Sequence, residues 1–255
     1  MRGVGKQDGI PWKLARDAIW EAVFEVRFSS SREDFSSILP GLLYAELSEI
    51  FPTAEQLPFS RLPSEMRNIN PMLAYQPFHA LKGKNATLRF GQKVATLSIT
   101  RPYLGWDEFK TLILKCFRAI AKTKYIETVE RCSLKYTNLL SEGADPKDLR
   151  QLDVGVKLGN FDIADSTTLI RSEFVYGGFT NIVQIVSGAT ITQAVGDSGP
   201  KQGVILDVDT ISIGPLGNFE GDLEDVLERL HNTEKAVFFG LLTDETLHKL
   251  GPISR

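Results

Sequence analysis

Cysteine is scarce in this chain of 255 residues, which contains only Cys116 and Cys132. Both lie in apolar stretches, one with helical and one with strand periodicity, so we expect two buried free thiols rather than a disulfide or a pair of metal ligands. Free thiols persist in reducing compartments. The cysteine content therefore predicts a cytoplasmic protein.

Long apolar runs and an excess of one charge are also missing. No run approaches the roughly 20 apolar residues that span a bilayer, so we expect no membrane association. Residues 1–9 are polar and glycine-rich, and no hydrophobic segment follows them. This predicts a flexible N-terminal segment over residues 1–17 rather than a signal peptide. The net charge of −3 gives no strong signal for nucleic-acid binding.

Sequence motifs of catalysis and cofactor binding are absent as well. The chain has no glycine-rich phosphate loop before Lys-Ser/Thr, no Cys-x-x-Cys pair, no His-Glu-x-x-His helix and no Gly-x-Ser-x-Gly elbow. The three histidines, His79, His231 and His248, are far apart in sequence, which favours separate structural roles. We therefore predict no cofactor, and whether the protein is an enzyme stays open.

A clear alternation of polar and apolar residues is what the sequence does contain. Phe24, Val26 and Phe28 alternate with Glu25 and Arg27, which is the period of a β-strand with one apolar face. The charged face suits solvent or a polar cavity rather than a dry core. The same kind of alternation recurs in later strands, and it is the main clue to function.

Further strands and helices follow from their periodicity. Strands are predicted at 85–100 as a hairpin, and at 128–140, 152–163, 168–176, 181–195 and 203–213. Helices are predicted at 35–50, 106–120, 219–230, 233–242 and 243–250, and the irregular segment at 53–80 is predicted to be a long loop with room for one short extended piece. Because hairpins connect the strands, we predict an α+β fold: a largely antiparallel sheet with amphipathic helices packed on one face and closing C-terminal helices. Residues 18–255 form one domain, with two subdomains meeting near residues 141–150 as an open alternative.

Four segments together carry a family resemblance. Residues 18–28 read AIWEAVFEVRF, residues 131–138 read RCSLKYTN, residues 204–210 read VILDVDT, and residues 231–245 contain FF followed by LTDE. In order and spacing they resemble a sporadically distributed family of uncharacterised prokaryotic proteins of about this length. Ala18 stands where that family usually has a proline. The resemblance implies a shared fold over nearly the whole chain and carries no catalytic residue with it.

Charged residues recur at alternate positions of the predicted strands. They are Glu21, Glu25, Arg27, Arg89, Arg131, Lys135, Arg171, Glu173, Asp207 and Asp209. If the sheet curls, Arg131, Lys135 and Arg171 could face Asp207 and Asp209 across one polar groove. Basic rows beside an acidic pair are how triphosphate-tunnel enzymes hold a polyphosphate and its metal, which is an architectural analogy.

An open sheet would arrange the same charges differently. Each base would then pair with a neighbouring acid, for instance Arg171 with Glu173, or Glu25 with a base on the next strand. We predict this pairing. Asp207 and Asp209 lie on the same side of one strand and could hold Mg²⁺, or they could belong to a solvated strand face. Because no third ligand is visible nearby in sequence, we predict no tightly bound metal.

The missing motifs, the near-neutral charge and the predicted open sheet favour a macromolecular binding or accessory module. Such a module would belong to a multi-gene system and act through a protein partner or by self-association. Phe238-Phe239 beside Leu241-Leu242 fit either an interface or a core helix that is apolar all round. The alternative function is a metal-dependent nucleotide- or polyphosphate-binding protein or enzyme that uses the charged strand faces.

Overall fold

The computed structural model describes residues 10–62, 73–141, 145–192, 199–216 and 218–254. Eleven strands occur in these residues: β1 Lys13–Leu14, β2 Ile19–Ser30, β3 Thr53–Gln56, β4 His79–Lys82, β5 Ala86–Phe90, β6 Val94–Thr100, β7 Ile126–Leu140, β8 Leu169–Tyr176, β9 Phe179–Ile191, β10 Lys201–Leu216 and β11 Pro252–Ile253. The four α-helices there are α1 Phe35–Leu47, α2 Trp106–Ala121, α3 Phe219–Leu241 and α4 Asp244–Leu250. The fold class is α+β, as predicted.

The described strands form one open antiparallel sheet of nine and a separate pair. The order in the large sheet is β3-β4-β5-β6-β2-β7-β10-β9-β8, and β1 pairs with β11. The predicted hairpin at 85–100 is present as β5 and β6, where Leu88 lies opposite Leu97. β8 and β9 form a second hairpin through a two-residue turn at Gly177-Gly178, between the strands predicted at 168–176 and 181–195. β8 is therefore one edge of the sheet, and β3 is the other.

Two compact units divide the chain. The larger unit comprises residues 21–134 and 211–230, and the smaller unit comprises residues 1–20, 135–210 and 231–255. The predicted subdomain junction near residues 141–150 falls inside the smaller unit, and residues 142–144 lie outside the described residues. The predicted N-terminal segment 1–17 is described only from residue 10 onward. Within it, Lys13 pairs with Ile253, which ties this part of the segment to the end of the chain.

The core of the larger unit forms where α2 packs on the apolar face of β2. The ring of Phe117 meets the ring of Phe24 edge to face, with 4.9 Å between centroids. The apolar stripe of this helix, whose members recur every three or four residues from Trp106 to Ile120, is buried at Phe109, Ile113, Phe117 and Ile120. Trp106, the first residue of that stripe, is only partly buried. The spacing of three and four residues thus identified the packing face correctly.

The smaller unit has its own apolar core. Its buried members come from β7, β9, β10, α3, α4, the segments between them and the residue before β2: Ala18, Leu140, Leu149, Leu152, Val183, Ile185, Val204, Leu206, Val208, Val237, Phe238, Leu242 and Leu250. Phe239 and Leu241 are partly buried and pack against this cluster. The apolar residues at 238–242 therefore belong to a core helix, which was one of the two interpretations left open.

Two predicted elements are wrong. The strand predicted at 152–163 is absent: residues 153–168 form no strand, and the only β-bridge among them is an isolated one between Leu158 and Phe161. The helices predicted at 219–230 and 233–242 are one continuous helix, α3. Asn232 and Thr233, at the junction of the two predicted helices, lie inside this helix, because packing of its apolar face outweighs weak local propensity.

Both cysteines are free and buried, as predicted. Cys116 lies on α2 and Cys132 on β7, and burial raises the pKa of each thiol to about 12. A thiol with so high a pKa carries almost no thiolate at neutral pH and is a poor nucleophile. No helix in the described part of the chain has the length and apolar character needed to cross a membrane.

Candidate functional site

Arg131 and Glu25 form the least exposed ion pair among the candidate charged residues. They lie in the larger unit on the neighbouring strands β7 and β2. The guanidinium of Arg131 donates to Glu25 Oε1 at 3.0 Å, and Arg27 Nε donates to the same oxygen at 2.8 Å. One partly buried carboxylate thus holds two guanidinium groups. This confirms the prediction that Glu25 pairs with a base across the strand gap.

Tyr75 contacts the same group of charges. The guanidinium carbon of Arg27 lies 4.6 Å from the centroid of the Tyr75 ring, and the Tyr75 hydroxyl donates to Glu130 Oε2 at 3.0 Å. Burial and the neighbouring Glu130 raise the pKa of Tyr75. The cation–π contact and the hydrogen bond hold these side chains together within the protein. They leave Arg27 engaged with protein groups rather than directed at a ligand.

Lys135 of β7 and the aspartates Asp207 and Asp209 of β10 are the candidate residues on two neighbouring strands in the smaller unit. Lys135 Nζ lies 3.6 Å from Asp207 Oδ2, which is an ion pair but longer than a hydrogen bond. Asp207 Oδ1 is buried and accepts no hydrogen bond within the described residues. In the same residues no group of three or more His, Cys, Asp or Glu side chains is arranged to hold a metal ion.

Arg171 is separated from the acidic pair. It lies on edge strand β8 opposite Gln184 of β9, and β9 stands between β8 and β10. Two strand spacings, or roughly 9–10 Å between backbones, thus separate it from Asp207 and Asp209. Its guanidinium lies 3.7 Å from Glu173 Oε2, and both side chains are about half exposed. The pairing of Arg171 with Glu173 is confirmed.

The candidate residues therefore divide into ion pairs, each with its own acid. Arg131 belongs to the larger unit and pairs with Glu25, whereas Lys135 pairs with Asp207 and Arg171 with Glu173. Within the smaller unit, Lys135 of β7 and Asp207 of β10 come together, whereas Arg171 lies two strands away from β10. Local neutralisation of this kind is what an open, solvated strand face produces.

The sequence interpretation missed an exposed apolar loop between residues 153 and 165. At its tip, Leu158 and Phe161 bracket a turn in which Gly159 has a φ of 60°. Leu158 is 64% exposed and Phe161 is 75% exposed, which is unusual for side chains of this size and apolar character. Gly159-Asn160 between two large apolar residues is the turn signal that could have revealed this tip.

Both ends of this loop, which we call the 153–165 loop, are fixed. The backbone N–H of Asp153 donates to Leu241 O at 2.8 Å, and the N–H of Leu149 donates to Ala164 O at 2.9 Å. At the far end, Arg150 forms a bidentate pair with Asp165, at 2.7 Å and 2.5 Å. A compact surface loop with closed ends has the form of an Ω-loop, a type of loop that often carries binding residues.

Comparison with models of known protein families finds no match for this chain, and no curated protein matches its sequence. The resemblance to the prokaryotic family therefore stays a prediction. The chemistry of the described residues has to carry any assignment of function.

Proposed function

We propose that this protein is a binding module that acts through another protein, as an accessory component of a multi-gene system. The observation that carries the proposal is the tip of the 153–165 loop, where Leu158 and Phe161 are largely exposed. Large apolar side chains exposed together on a surface turn lose contact with water only when a partner covers them. Aromatic and aliphatic anchors of this kind supply most of the affinity at protein interfaces.

The anchored ends of the loop strengthen this proposal. Ordering a loose loop on binding costs conformational entropy and weakens the complex. Here the hydrogen bonds of Asp153 and Leu149 and the bidentate pair of Arg150 with Asp165 hold the loop ends before a partner arrives. The tip is then presented at a smaller entropic cost. Buried free thiols at Cys116 and Cys132 fit a cytoplasmic setting for this interaction.

The test begins with a photo-crosslinking amino acid in place of Phe161, expressed in the native host. A protein cross-linked at this position is identified by mass spectrometry, purified, and titrated against the wild type. We expect the change of Leu158 and Phe161 to Asp to weaken binding by about 100-fold, because two apolar anchors are lost. Leu104→Asp is the matched control, since Leu104 is 66% exposed and lies in the larger unit.

Two results would contradict the proposal. One is that no protein cross-links at position 161 under conditions in which the variant is folded and expressed. The other is that the purified partner binds the loop variant as tightly as it binds the wild type. Equal loss in the Leu104→Asp control would show that added charge anywhere, rather than loss of the loop tip, causes the effect.

A metal-dependent nucleotide- or polyphosphate-binding function is the alternative, and Asp207 is the observation that favours it. Its Oδ1 is buried without a hydrogen-bond donor among the described residues, and a bound cation would satisfy it. The protein-binding proposal expects no heat of binding, of either sign, when ATP or polyphosphate with Mg²⁺ is titrated into the protein in a calorimeter. Micromolar binding that weakens steeply with salt, and that is lost in a Lys135→Glu, Arg171→Glu double variant, would establish the alternative instead.

A further inference from the structure

Within the described residues, edge strand β8 has few of the features that natural proteins use to protect a sheet edge, and its only charged side chains are Arg171 and Glu173. Its sequence, LIRSEFVY, contains no proline and no lysine, and six of its eight residues are exposed. Leu169, Phe174 and Val175 are among the exposed apolar side chains. An unprotected edge of this length offers its backbone N–H and C=O groups to another strand. The opposite edge, β3, has only four residues and is flanked by Pro52 and Pro58.

The turn after β8 determines which backbone groups point outward. Gly177 and Gly178 have φ values of 62° and 81°, so they form a type I′ turn that joins Tyr176 to Phe179. In such a turn the flanking residues form a hydrogen-bonded pair, and along an antiparallel ladder these pairs alternate. The even-numbered residues of β8 therefore bond to β9. The odd-numbered residues direct their N–H and C=O groups away from the sheet: Leu169, Arg171, Glu173 and Val175.

The sequence of β8 is also complementary to itself when it is reversed about Ser172. In an antiparallel pair of two such strands, Arg171 of one copy lies opposite Glu173 of the other. By the same symmetry, Leu169 lies opposite Val175 and Ile170 opposite Phe174, which places apolar residues together. The residues whose backbone groups point outward, at 169, 171, 173 and 175, meet one another in this register. Charge, apolar character and backbone geometry thus select the same register.

We propose that β8 binds β8 of a second copy of this chain, antiparallel, about a two-fold axis through Ser172. Each outward-facing pair exchanges two backbone hydrogen bonds, and the Arg171–Glu173 ion pair is repeated across the interface on both sides of the axis. This is an isologous contact, which closes after two copies and does not extend into a fibre. Because a strand pair buries less than the roughly 1,200–2,000 Å² of a standard interface, the dimer dissociates on dilution.

Charge exchange at positions 171 and 173 tests this pairing. Sedimentation velocity of the wild type, from micromolar to near-millimolar concentration, is expected to show a monomer–dimer equilibrium. Arg171→Glu places two carboxylates of one copy opposite two of the other, and Glu173→Arg does the same with guanidinium groups. Each single variant is expected to weaken dimerisation by about 10-fold or more, since like charges face each other. An equimolar mixture of the two variants is expected to form a heterodimer, because opposite charges then meet again.

Two further variants make the test specific. Glu173→Pro removes one outward N–H, leaves the bonds to β9 in place and is expected to abolish the dimer while circular dichroism stays unchanged. Glu55→Lys, which alters an exposed charge on β3 at the other edge, is the control and is expected to dimerise like the wild type. The pairing is overturned if the wild type is monomeric throughout, if Glu173→Pro dimerises normally, or if the mixed charge variants fail to associate.

This inference does not depend on the function proposed for the 153–165 loop. The variant with Asp at positions 158 and 161 is expected to dimerise like the wild type. Loss of partner binding without loss of the dimer would support the loop proposal alone. Loss of the dimer in the β8 variants with partner binding retained would support the strand pairing alone.

Discussion

Glu234 offers a direct test of the core of the smaller unit. It lies on α3, next in sequence to Lys235, and only 5% of its surface is exposed. Burial raises the pKa of this carboxyl to about 8, and Lys235 opposes the shift only in part. The folded protein therefore keeps Glu234 protonated at neutral pH, whereas the unfolded chain ionises it above pH 4.5. The two states differ in bound protons between pH 4.5 and about pH 8.

This difference sets both the sign and the size of the effect. Below pH 4.5 both states are protonated, and the carboxyl costs no stability through ionisation. As the pH rises from 4.5 towards 8, the unfolded state alone gains by releasing its proton, so the free energy of unfolding falls. Above pH 8 both states ionise and the loss is constant. A shift of this size corresponds to a loss on the order of 4 kcal/mol between pH 5 and pH 9.

Glu234→Gln removes the titration and keeps the shape of the protonated acid. The free energy of unfolding, measured by urea denaturation at several pH values, should fall with pH more steeply in the wild type than in this variant. The difference between the two curves isolates Glu234 from every other titrating group. Glu220→Gln, at an exposed acid near the start of the same helix, is the control and should leave the curve unchanged. Parallel curves for wild type and Glu234→Gln would refute the reasoning.

Three further changes have expected outcomes that urea denaturation can check. Phe117→Ala should cost about 3–5 kcal/mol, because it removes a fully buried ring that packs edge to face on Phe24, and a smaller loss would contradict the packing. Asn181→Ala should cost about 1–3 kcal/mol, because the Thr210 hydroxyl loses its acceptor at 2.8 Å in a fully buried site; an unchanged midpoint would argue against this bond. Glu25→Gln should lower the free energy of unfolding of the larger unit, because Arg27 and Arg131 lose their shared carboxylate. Added phosphate should restore part of this loss by binding the two guanidinium groups in the folded state, and no response to phosphate would contradict that account.

Local periodicity predicted most of the helices and strands because it depends on residues close together in sequence. The hairpin of β5 and β6 and the packing face of α2 follow from spacings of two and of three to four. The strand prediction for residues 152–163 was wrong for a physical reason. Val154, Val156 and Leu158 alternate like a strand, but alternation describes only a side-chain pattern and does not supply a neighbouring strand to bond with. The segment therefore became a loop held at its ends.

Local periodicity could not predict which acid each charged strand residue pairs with. Glu25 and Arg131 are 106 positions apart, and their contact depends on β2 and β7 being neighbours in the sheet. The sequence shows that both residues lie on polar strand faces, but strand order and register decide which acid each base meets. Arg171 and Glu173 were predictable as a pair because they lie two residues apart on one strand. The difference between the two cases is one of sequence separation.

β8 differs from the other long strands in a way that connects its sequence to its position. β2 and β9 alternate between buried and less buried residues, as strands with one face on a core do. β8 is exposed along most of its length and still keeps apolar residues on both faces, with Leu169 and Val175 on one side and Ile170 and Phe174 on the other. At an edge open to water these side chains favour association, and random association leads to aggregation. A self-complementary register with Arg171 opposite Glu173 directs that tendency into a closed pair, which gives the apolar residues a partner and leaves no free edge at β8.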